Sequence, residues 1–334
     1  MKETIGVIGA NGFVGMHLVE EICNNYPQYD VVAFVYKINS GKTGFSARVK
    51  EVREIDVLNK EALPEKLQGI DILIFSVKGD NKTIVDGLKN TLESIKNTAI
   101  KKIIYLSSIV VFGENPSEDT NDDSPLLQIQ GNEYNMAKVK AENYVEAFRK
   151  DGINIITIRP GYIYGENGLD HTIYFLNQIK EEFRNFYLPN KGKGIFNGVY
   201  VKNLVHMIMC AVESNVKNQN FNGVDGFKKT WYELFESYSQ FLNKDIDKLI
   251  LNSERRGVII VGNNIISRII AKIKKAFFPG RILISKEIYD IYSCGHYFTA
   301  KKAESLLGYK PAFSFAKAME NIKNWAIAVD IELK

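Results

Sequence analysis

The sequence predicts an α/β fold: a doubly wound parallel Rossmann-type sheet followed by a smaller, mostly helical C-terminal lobe. Two observations carry this prediction. Up to about residue 160, short β-branched runs alternate with helical patterns, as crossover helices between parallel strands require. Several of those runs are apolar at every position, which is typical of strands that helices cover on both faces.

Six runs in the first half are predicted as strands, at residues 4–8, 31–35, 52–55, 70–75, 103–106 and 153–158. A long helix is predicted over 81–98, where Ile84, Leu88 and Leu92 fall on one face. Further helical stretches are predicted near 172–184, 203–214 and 231–242, between polar loops. We therefore interpret residues 1–165 as one domain, to which segments near 196–215 return, and residues 166–334 as a second lobe.

Length and composition exclude several classes of protein. A chain of 334 residues is long enough for about two domains. Its 45% hydrophobic and 25% charged residues exclude a disordered or fibrous chain, and a net charge of +4 predicts no nucleic-acid partner. Neither the three cysteines nor the four histidines have metal-ligand or disulfide spacing, so we expect no metal site. Because the amino end also lacks a signal-peptide pattern, we expect a cytoplasmic protein.

A glycine-rich turn follows the first predicted strand. Gly9, Gly12 and Gly15 are spaced three apart, and the residues between them include Asn11, Phe13 and Val14. Glycine permits a tight turn, a close approach of the backbone to a pyrophosphate and close packing of helix on strand. The helix that follows offers unpaired N–H groups to phosphates. The turn therefore predicts a dinucleotide-binding site in the first domain, with the second lobe left to bind the substrate.

The end of the second strand predicts which dinucleotide binds. In NAD-binding folds an acidic residue about 20 positions after the last glycine holds the ribose 2′-hydroxyl. That count leads to Lys37, and no carboxylate is nearby in the sequence. A cation suits a 2′-phosphate, so the sequence favours NADP over NAD, although a solvated lysine is an equally ordinary explanation. Asp56 ends the third strand and is positioned to accept from the adenine amino group.

Three side chains predict proton-transfer chemistry. Tyr134 and Lys138 are four apart on a predicted helix and so share one face. A tyrosine ordinarily has a pKa of about 10, and a neighbouring cation lowers the pKa of a phenol. Ser108 follows the fifth strand, at the sheet edge where such folds bind ligands, and can hold a reacting oxygen against the phenol.

These motifs, in this order, resemble the extended short-chain dehydrogenase/reductases of the NAD(P)-dependent epimerase/dehydratase family. The resemblance continues through the segments 159–165, 200–205, 299–302 and 307–311, so it covers nearly the whole chain. It implies that Ser108, Tyr134 and Lys138 are the catalytic group and that Lys138 also holds the nicotinamide ribose. It further implies roles for other residues: Gly9, Gly12 and Gly15 frame the pyrophosphate, Asp56 and Val57 contact adenine, Asn90 supports the site, Ser76 lies near the ribose, and Pro160 and Ile163 line the nicotinamide end. It also implies a homodimer formed through the helices at 81–98 and 134–148.

Two departures from the family pattern bear on the reaction and the substrate. Ile109 and Val110 stand where sugar 4,6-dehydratases have an acidic pair, which disfavours elimination of water. The loop at 194–198 lacks the arginine that often holds a substrate diphosphate, and Arg255, Arg256 and Arg281 are weak substitutes. We expect an NAD(P)-dependent oxidoreductase or epimerase that acts on a secondary alcohol or ketone, and we expect that group to belong to a nucleotide sugar. The alternatives are a hydroxysteroid or dihydroflavonol-type ketone reductase and a non-catalytic NADP-sensing protein.

One further helix, predicted over 265–278, has an apolar stripe and a basic remainder. Such a helix either buries its stripe in the lobe, which is the more common case, or lies on an anionic membrane surface. Contact of this helix with a membrane would favour lipid-linked or sterol-like substrates.

Overall fold

A parallel sheet of seven strands forms the centre of the protein in the computed structural model, which describes residues 2–38, 45, 48–262 and 265–329. From edge to edge the strand order is 10-6-5-4-1-2-3, and every neighbouring pair is parallel. This order reverses direction next to the first strand, which is the arrangement of a doubly wound fold. The predicted fold class is confirmed.

The strands of the described residues are β1 Glu3–Ile8, β2 Tyr29–Val35, β3 Glu51–Glu54, β4 Ile72–Phe75, β5 Lys102–Leu106, β6 Ile155–Pro160, β7 Tyr162–Tyr164, β8 Ile195–Phe196, β9 Gly198–Tyr200, β10 Asn220–Gly223, β11 Lys229–Thr230, β12 Val258–Val261 and β13 Ile282–Ser285. The six predicted strands form β1 to β6 with ends shifted by a few residues. The sequence did not reveal β10, because its residues Asn-Phe-Asn-Gly have low β propensity.

The α-helices are α1 Phe13–Asn25, α2 Leu63–Lys66, α3 Asn81–Ser94, α4 Glu133–Lys150, α5 Tyr174–Lys180, α6 Val201–Glu213, α7 Trp231–Phe241, α8 Ile246–Arg256, α9 Ile265–Phe277, α10 Lys286–Ser293, α11 Lys301–Leu307 and α12 Phe315–Ala328. The helix predicted over 172–184 is wrong at its C-terminal end. Glu182 and Phe183 have φ angles of 54° and 55°, which an α-helix cannot contain, so α5 ends at Lys180.

Two apolar layers enclose the sheet. Helices α3 and α4 pack side by side on one face, and α1 and α6 pack on the other. Helix α6 and strand β10 both come from beyond residue 165, and β10 pairs with β6. The second half of the chain thus returns to the sheet at two places. The domain boundary at 165 and the homodimer through α3 and α4 stay predictions.

Helix α9 forms where the sequence predicted it, but the expectation that the lobe buries its apolar stripe is wrong. It joins the paired parallel strands β12 and β13. The helix packs on β12 and Ala271 is buried, whereas Ile266 and Phe277 are 69% and 77% exposed. Two short strands cover only a narrow strip of a helix, so the stripe faces outward. None of the helices in the described ranges has the length and apolar character needed to cross a bilayer.

A buried ion pair joins α4 to β6. Arg159 Nη2 lies 2.7 Å from Glu142 Oε2, and both side chains are almost fully buried. Arg159 also donates from Nη1 to the Asp122 carbonyl at 2.7 Å. The pair and its hydrogen bonds offset the cost of removing two charges from water.

Because one charge would be left buried without its partner, Glu142→Gln should lower the free energy of unfolding by about 3–5 kcal/mol. The control is Glu320→Gln, which breaks the exposed pair Lys317–Glu320 and should cost less than about 1 kcal/mol. Urea unfolding of both variants measures the difference. Equal losses in the two variants would contradict the role of the buried pair.

Candidate active site

The glycine turn after β1 has a backbone that only glycine fits. Gly9 has φ +86°, and a Cβ there would lie 2.4 Å from the Ser76 carbonyl oxygen. A Cβ on Gly15 would lie 2.1 Å from the Gly9 carbonyl oxygen, so a side chain would push α1 away from the turn. The turn therefore brings the N-terminus of α1 against the ends of β1 and β4.

The N-terminus of α1 is open to an anion. Its N-cap is Gly12, which has no side chain to occupy the first-turn N–H groups, and that turn contains no acidic residue. Asn11 is exposed and Phe13 half-buried beside the turn, while Val14 is buried beneath it. Unpaired N–H groups and the helix dipole attract phosphate. These residues fit the pyrophosphate of a dinucleotide.

A positive and a negative side chain lie at the end of β2, where the sequence predicts binding of the adenosine ribose. Lys37 is exposed, with its Nζ 5.7 Å from the centre of the Tyr36 ring. Glu54 accepts a hydrogen bond from the Ile38 N–H at 2.7 Å, which places a carboxylate at this strand end. Sequence reasoning missed Glu54, because it ends β3 and reaches β2 only through the pairing of Val35 with Glu54.

The turn after β3 holds the residues predicted to contact adenine. Asp56 is exposed, and its carboxylate accepts a hydrogen bond from the Leu58 N–H at 2.9 Å. Val57 is buried, and Asn90 of α3 donates to its carbonyl at 3.2 Å. Asn90 thus fixes the turn from below.

Three further predicted residues lie at the same carboxyl edge of the sheet. Ser76 follows β4 and donates its N–H to the Ile8 carbonyl at 3.0 Å, which holds it beside the glycine turn. Pro160 ends β6, and Ile163 is half-buried in β7. These positions border the crevice on the side away from β2.

Two of the catalytic candidates, Tyr134 and Lys138, lie on one face of α4. This face contacts the end of β5, which the third candidate, Ser108, follows. Lys138 Nζ donates to the Leu106 carbonyl at 2.9 Å. The Ser107 hydroxyl donates to Glu142 at 2.5 Å. The next residue, Ser108, lies close enough to the Tyr134 phenol to lower its pKa, and its Oγ accepts a hydrogen bond from the Val110 N–H at 3.2 Å. The structure therefore brings Ser108, Tyr134 and Lys138 together, as the sequence indicated.

A residue that sequence reasoning missed fixes the loop carrying Ser108. Asn135 is fully buried; it donates to the carbonyls of Val110 and Leu127 at 2.7 and 2.8 Å and accepts from the Ile129 N–H at 2.6 Å. The available signal was a polar residue directly after Tyr134, on the side of α4 that faces the β5 loop. Asn135 holds that loop in register with the helix.

Comparison with known proteins identifies the family. A model of the 3-beta hydroxysteroid dehydrogenase/isomerase family matches residues 6–232, a range that includes every residue of the candidate active site. The chain belongs to this family. It is an extended short-chain dehydrogenase/reductase and an NAD(P)-dependent enzyme, so the resemblance stated from the sequence is confirmed. The alternative of a non-catalytic sensor is set aside.

Relatives of this dehydrogenase-family chain act on different substrates. N-acetyl-alpha-D-glucosaminyl-diphospho-ditrans,octacis-undecaprenol 4-epimerase of Escherichia coli O157:H7 is 24% identical over 75% of this chain and 76% of its own length. The human decarboxylating sterol-4-alpha-carboxylate 3-dehydrogenase is 22% identical over 94% of this chain and 86% of its own length.

Solved structures share the fold. The Thermotoga maritima UDP-glucose 4-epimerase superimposes with a TM-score of 0.72 at 20% identity, covering 98% of this chain and 99% of that chain. The Bacillus anthracis dTDP-glucose 4,6-dehydratase, in complex with NAD, gives 0.73 at 16% identity, covering 99% and 98%. At these identities the likeness establishes the fold alone.

Burial sets the electrostatics of this dehydrogenase-family site. It lowers the pKa of Lys138 to about 8, against which the negative charge of Glu142 acts. Partial burial also raises the pKa of Tyr134, although its side chain is 42% exposed; Ser108 lowers that pKa, and the charge of Asp170 raises it. Lys138 is not among these causes, so the lowering of the phenol pKa by Lys138 stays a prediction.

The pKa of Lys138 makes a prediction about stability. Between about 8 and the ordinary value of 10.5 the unfolded chain binds more protons at this lysine than the folded chain does. Stability from this group therefore increases with pH across that range, by up to about 1.4 kcal/mol per pH unit. Lys138→Met lacks this dependence.

The measurement is urea unfolding, without added coenzyme, of the wild type and of Lys138→Met between about pH 7 and about pH 9.5. The free energy of unfolding of the wild type should rise relative to that of the variant across this range. Lys140→Met, at an exposed position of the same helix, is the control. A difference that stays constant with pH would contradict the burial of a titrating ammonium.

Proposed function

We propose that this enzyme oxidises a secondary alcohol on the ring of a diphosphate-linked sugar, or reduces the corresponding ketone. If the hydride returns to the opposite face of the ring, the reaction is an epimerisation. The observation that carries the proposal is that Ser108, Tyr134 and Lys138 lie together at the end of β5, with Lys138 Nζ 5.9 Å from the centre of the Tyr134 ring. They lie on the same sheet edge as the open N-terminus of α1. Ligands of doubly wound folds bind along this edge.

Each residue of the site has a part in holding the coenzyme. Gly9, Gly12 and Gly15 suit the pyrophosphate, and Asp56 and Val57 border the adenine position. Ser76, Pro160 and Ile163 border the nicotinamide end, where Lys138 is placed to hold the ribose. When bound, the coenzyme supplies or accepts a hydride at the reacting carbon.

The chain supplies the proton transfer. Ser108 donates a hydrogen bond to the reacting oxygen and holds it against Tyr134, which accepts the alcohol proton as a phenolate during oxidation and donates it as a phenol during reduction. Lys138, with a pKa of about 8, is charged at neutral pH and favours negative charge on the phenol as the proton leaves. Asn135 keeps Ser108 at the correct distance by fixing its loop.

The substrate class has support from relatives and from two residues of the site. The E. coli relative is named as a 4-epimerase of a sugar joined through a diphosphate to a polyprenol. Ile109 is buried next to Ser108, and with Val110 it leaves apolar side chains where dehydratases have acids. Proton transfer through Tyr134 alone suits oxidation, reduction and epimerisation better than loss of water.

A second candidate is a hydroxysteroid-type dehydrogenase or ketone reductase. The family match and the human sterol-carboxylate relative favour it. The two candidates differ in coenzyme balance: an epimerase interconverts two sugars without net reduction, whereas a dehydrogenase reduces one coenzyme for each alcohol oxidised.

The decisive assay incubates the enzyme and NAD or NADP with UDP-sugars, polyprenyl-diphospho-sugars and 3β-hydroxysteroids. Product epimers are separated by chromatography, and the reduced nicotinamide is followed by absorbance. Tyr134→Phe should lower the rate about 10²–10⁴-fold while coenzyme affinity is retained, because only the proton carrier is lost. Tyr144→Phe on the same helix is the control. Full activity of Tyr134→Phe would refute the mechanism, and turnover of steroids alone would favour the second candidate.

We also propose that the enzyme prefers NADP through Lys37. The ammonium at the end of β2 suits a 2′-phosphate, whereas Glu54 at the same strand end opposes it. Lys37→Ala should weaken binding of NADP by about three- to tenfold and leave NAD unchanged, because only NADP carries that phosphate. Lys301→Ala, exposed on α11, is the control. A wild type that prefers NAD, or an equal loss for both coenzymes, contradicts this assignment.

A further inference from the structure

Helix α9 exposes a continuous apolar stripe. Its members are Ile266, Ile269, Ile270, Ile273 and Phe277, which are between 46% and 77% exposed. Their spacing of three, four, seven and eleven residues from Ile266 places them on one face of the helix. Ala271, on the opposite side of the helix, is buried, and α9 packs on β12, so the stripe points away from the protein. Exposed apolar surface of this size marks an interaction site.

The surroundings of the stripe are basic. Residues 255–286 contain eight lysines and arginines and no aspartate or glutamate. These are Arg255, Arg256, Arg268, Lys272, Lys274, Lys275, Arg281 and Lys286. The rest of the chain then carries 35 basic against 39 acidic residues, although the whole chain is positive. The positive charge is therefore concentrated in the segment of the chain that contains the exposed stripe.

Two of these lysines border the stripe directly. At about 100° per residue, Lys272 lies on one side of the stripe and Lys274 on the other. Both side chains are exposed. Lysines in this position keep their ammonium groups at the level of lipid headgroups while the apolar residues between them enter the acyl region.

We propose that the outward face of α9 docks on an anionic phospholipid bilayer. Charge complementarity selects this occupant: the apolar stripe favours the interfacial region, and the exposed Lys272 and Lys274 beside it favour negatively charged headgroups. A second copy of the chain is disfavoured, because two such faces would bring like charges together.

The docking face is structurally connected to the catalytic helix. The chain passes from α9 through β13 directly into α10, whose first turn contains Glu287. Glu287 accepts a hydrogen bond from Asn132 Nδ2 at 3.2 Å, and Asn132 caps α4 two residues before Tyr134. If the function proposed above holds, an enzyme docked through α9 would meet sugar diphosphates that are carried by a lipid.

The test is co-sedimentation of the full-length protein with vesicles of phosphatidylcholine alone or mixed with phosphatidylglycerol. The protein should bind the anionic vesicles, bind neutral ones weakly, and dissociate as salt is raised. Ile269→Ser with Ile273→Ser, and separately Lys272→Glu with Lys274→Glu, should each weaken binding at least about tenfold. Tyr134→Phe should bind as the wild type does, so docking is judged independently of catalysis.

Matched controls lie on other exposed helices. Leu306→Ser with Ile327→Ser changes exposed apolar residues on α11 and α12, and Lys317→Glu with Lys323→Glu changes exposed charges on α12. Both controls should retain vesicle binding, and circular dichroism should show that all variants are folded. Failure of the wild type to bind anionic vesicles would overturn the proposal. Equal losses of vesicle binding in the controls would also overturn it. A third contradicting result would be an oligomer, seen by light scattering, that dissociates in the double variant Ile269→Ser with Ile273→Ser.

Discussion

The attachment of one helix face to one strand end determines where the chemistry can take place. Along α4, Tyr134, Lys138 and Glu142 are spaced one turn apart. Lys138 and Glu142 form hydrogen bonds with Leu106 and Ser107, and the next residue, Ser108, lies beside Tyr134. Glu142 also pairs with Arg159 in the interior. A shift of the helix would separate this buried pair, which costs several kcal/mol. The position of the phenol is therefore fixed by charges two turns away.

Burial also changes the pKa values of the ionisable groups in the site. A lysine surrounded by protein loses its proton more readily, and a phenol that is partly removed from water holds its proton more firmly. Lys138 is buried, whereas Tyr134 is only partly buried. The spacing of the two groups could be predicted from the sequence, but their removal from water could not. Proton transfer at this site depends on the ammonium keeping its charge at neutral pH.

The parts of the site that local motifs encode could be predicted, and the parts made by long-range pairing could not. Gly9, Ser108 and Tyr134 each stand next to a strand or helix that the hydrophobic pattern marks clearly. Glu54 reaches the end of β2 only because β3 pairs beside it. The seventh strand, β10, is short and polar and depends on β6 for its hydrogen bonds. Helix α9 could be located but not oriented, because an apolar stripe has the same periodicity whether it faces a core or a membrane.

The most direct test of the account is a crystal structure of the enzyme with NAD or NADP. We predict the pyrophosphate at the N-terminus of α1 and the nicotinamide ring at the end of β5, within contact distance of the Tyr134 phenol and with its ribose against Lys138. A nicotinamide ring bound elsewhere would contradict the account. So would a Tyr134 phenol too far from the ring for a hydrogen bond, direct or through one water, to a substrate held there.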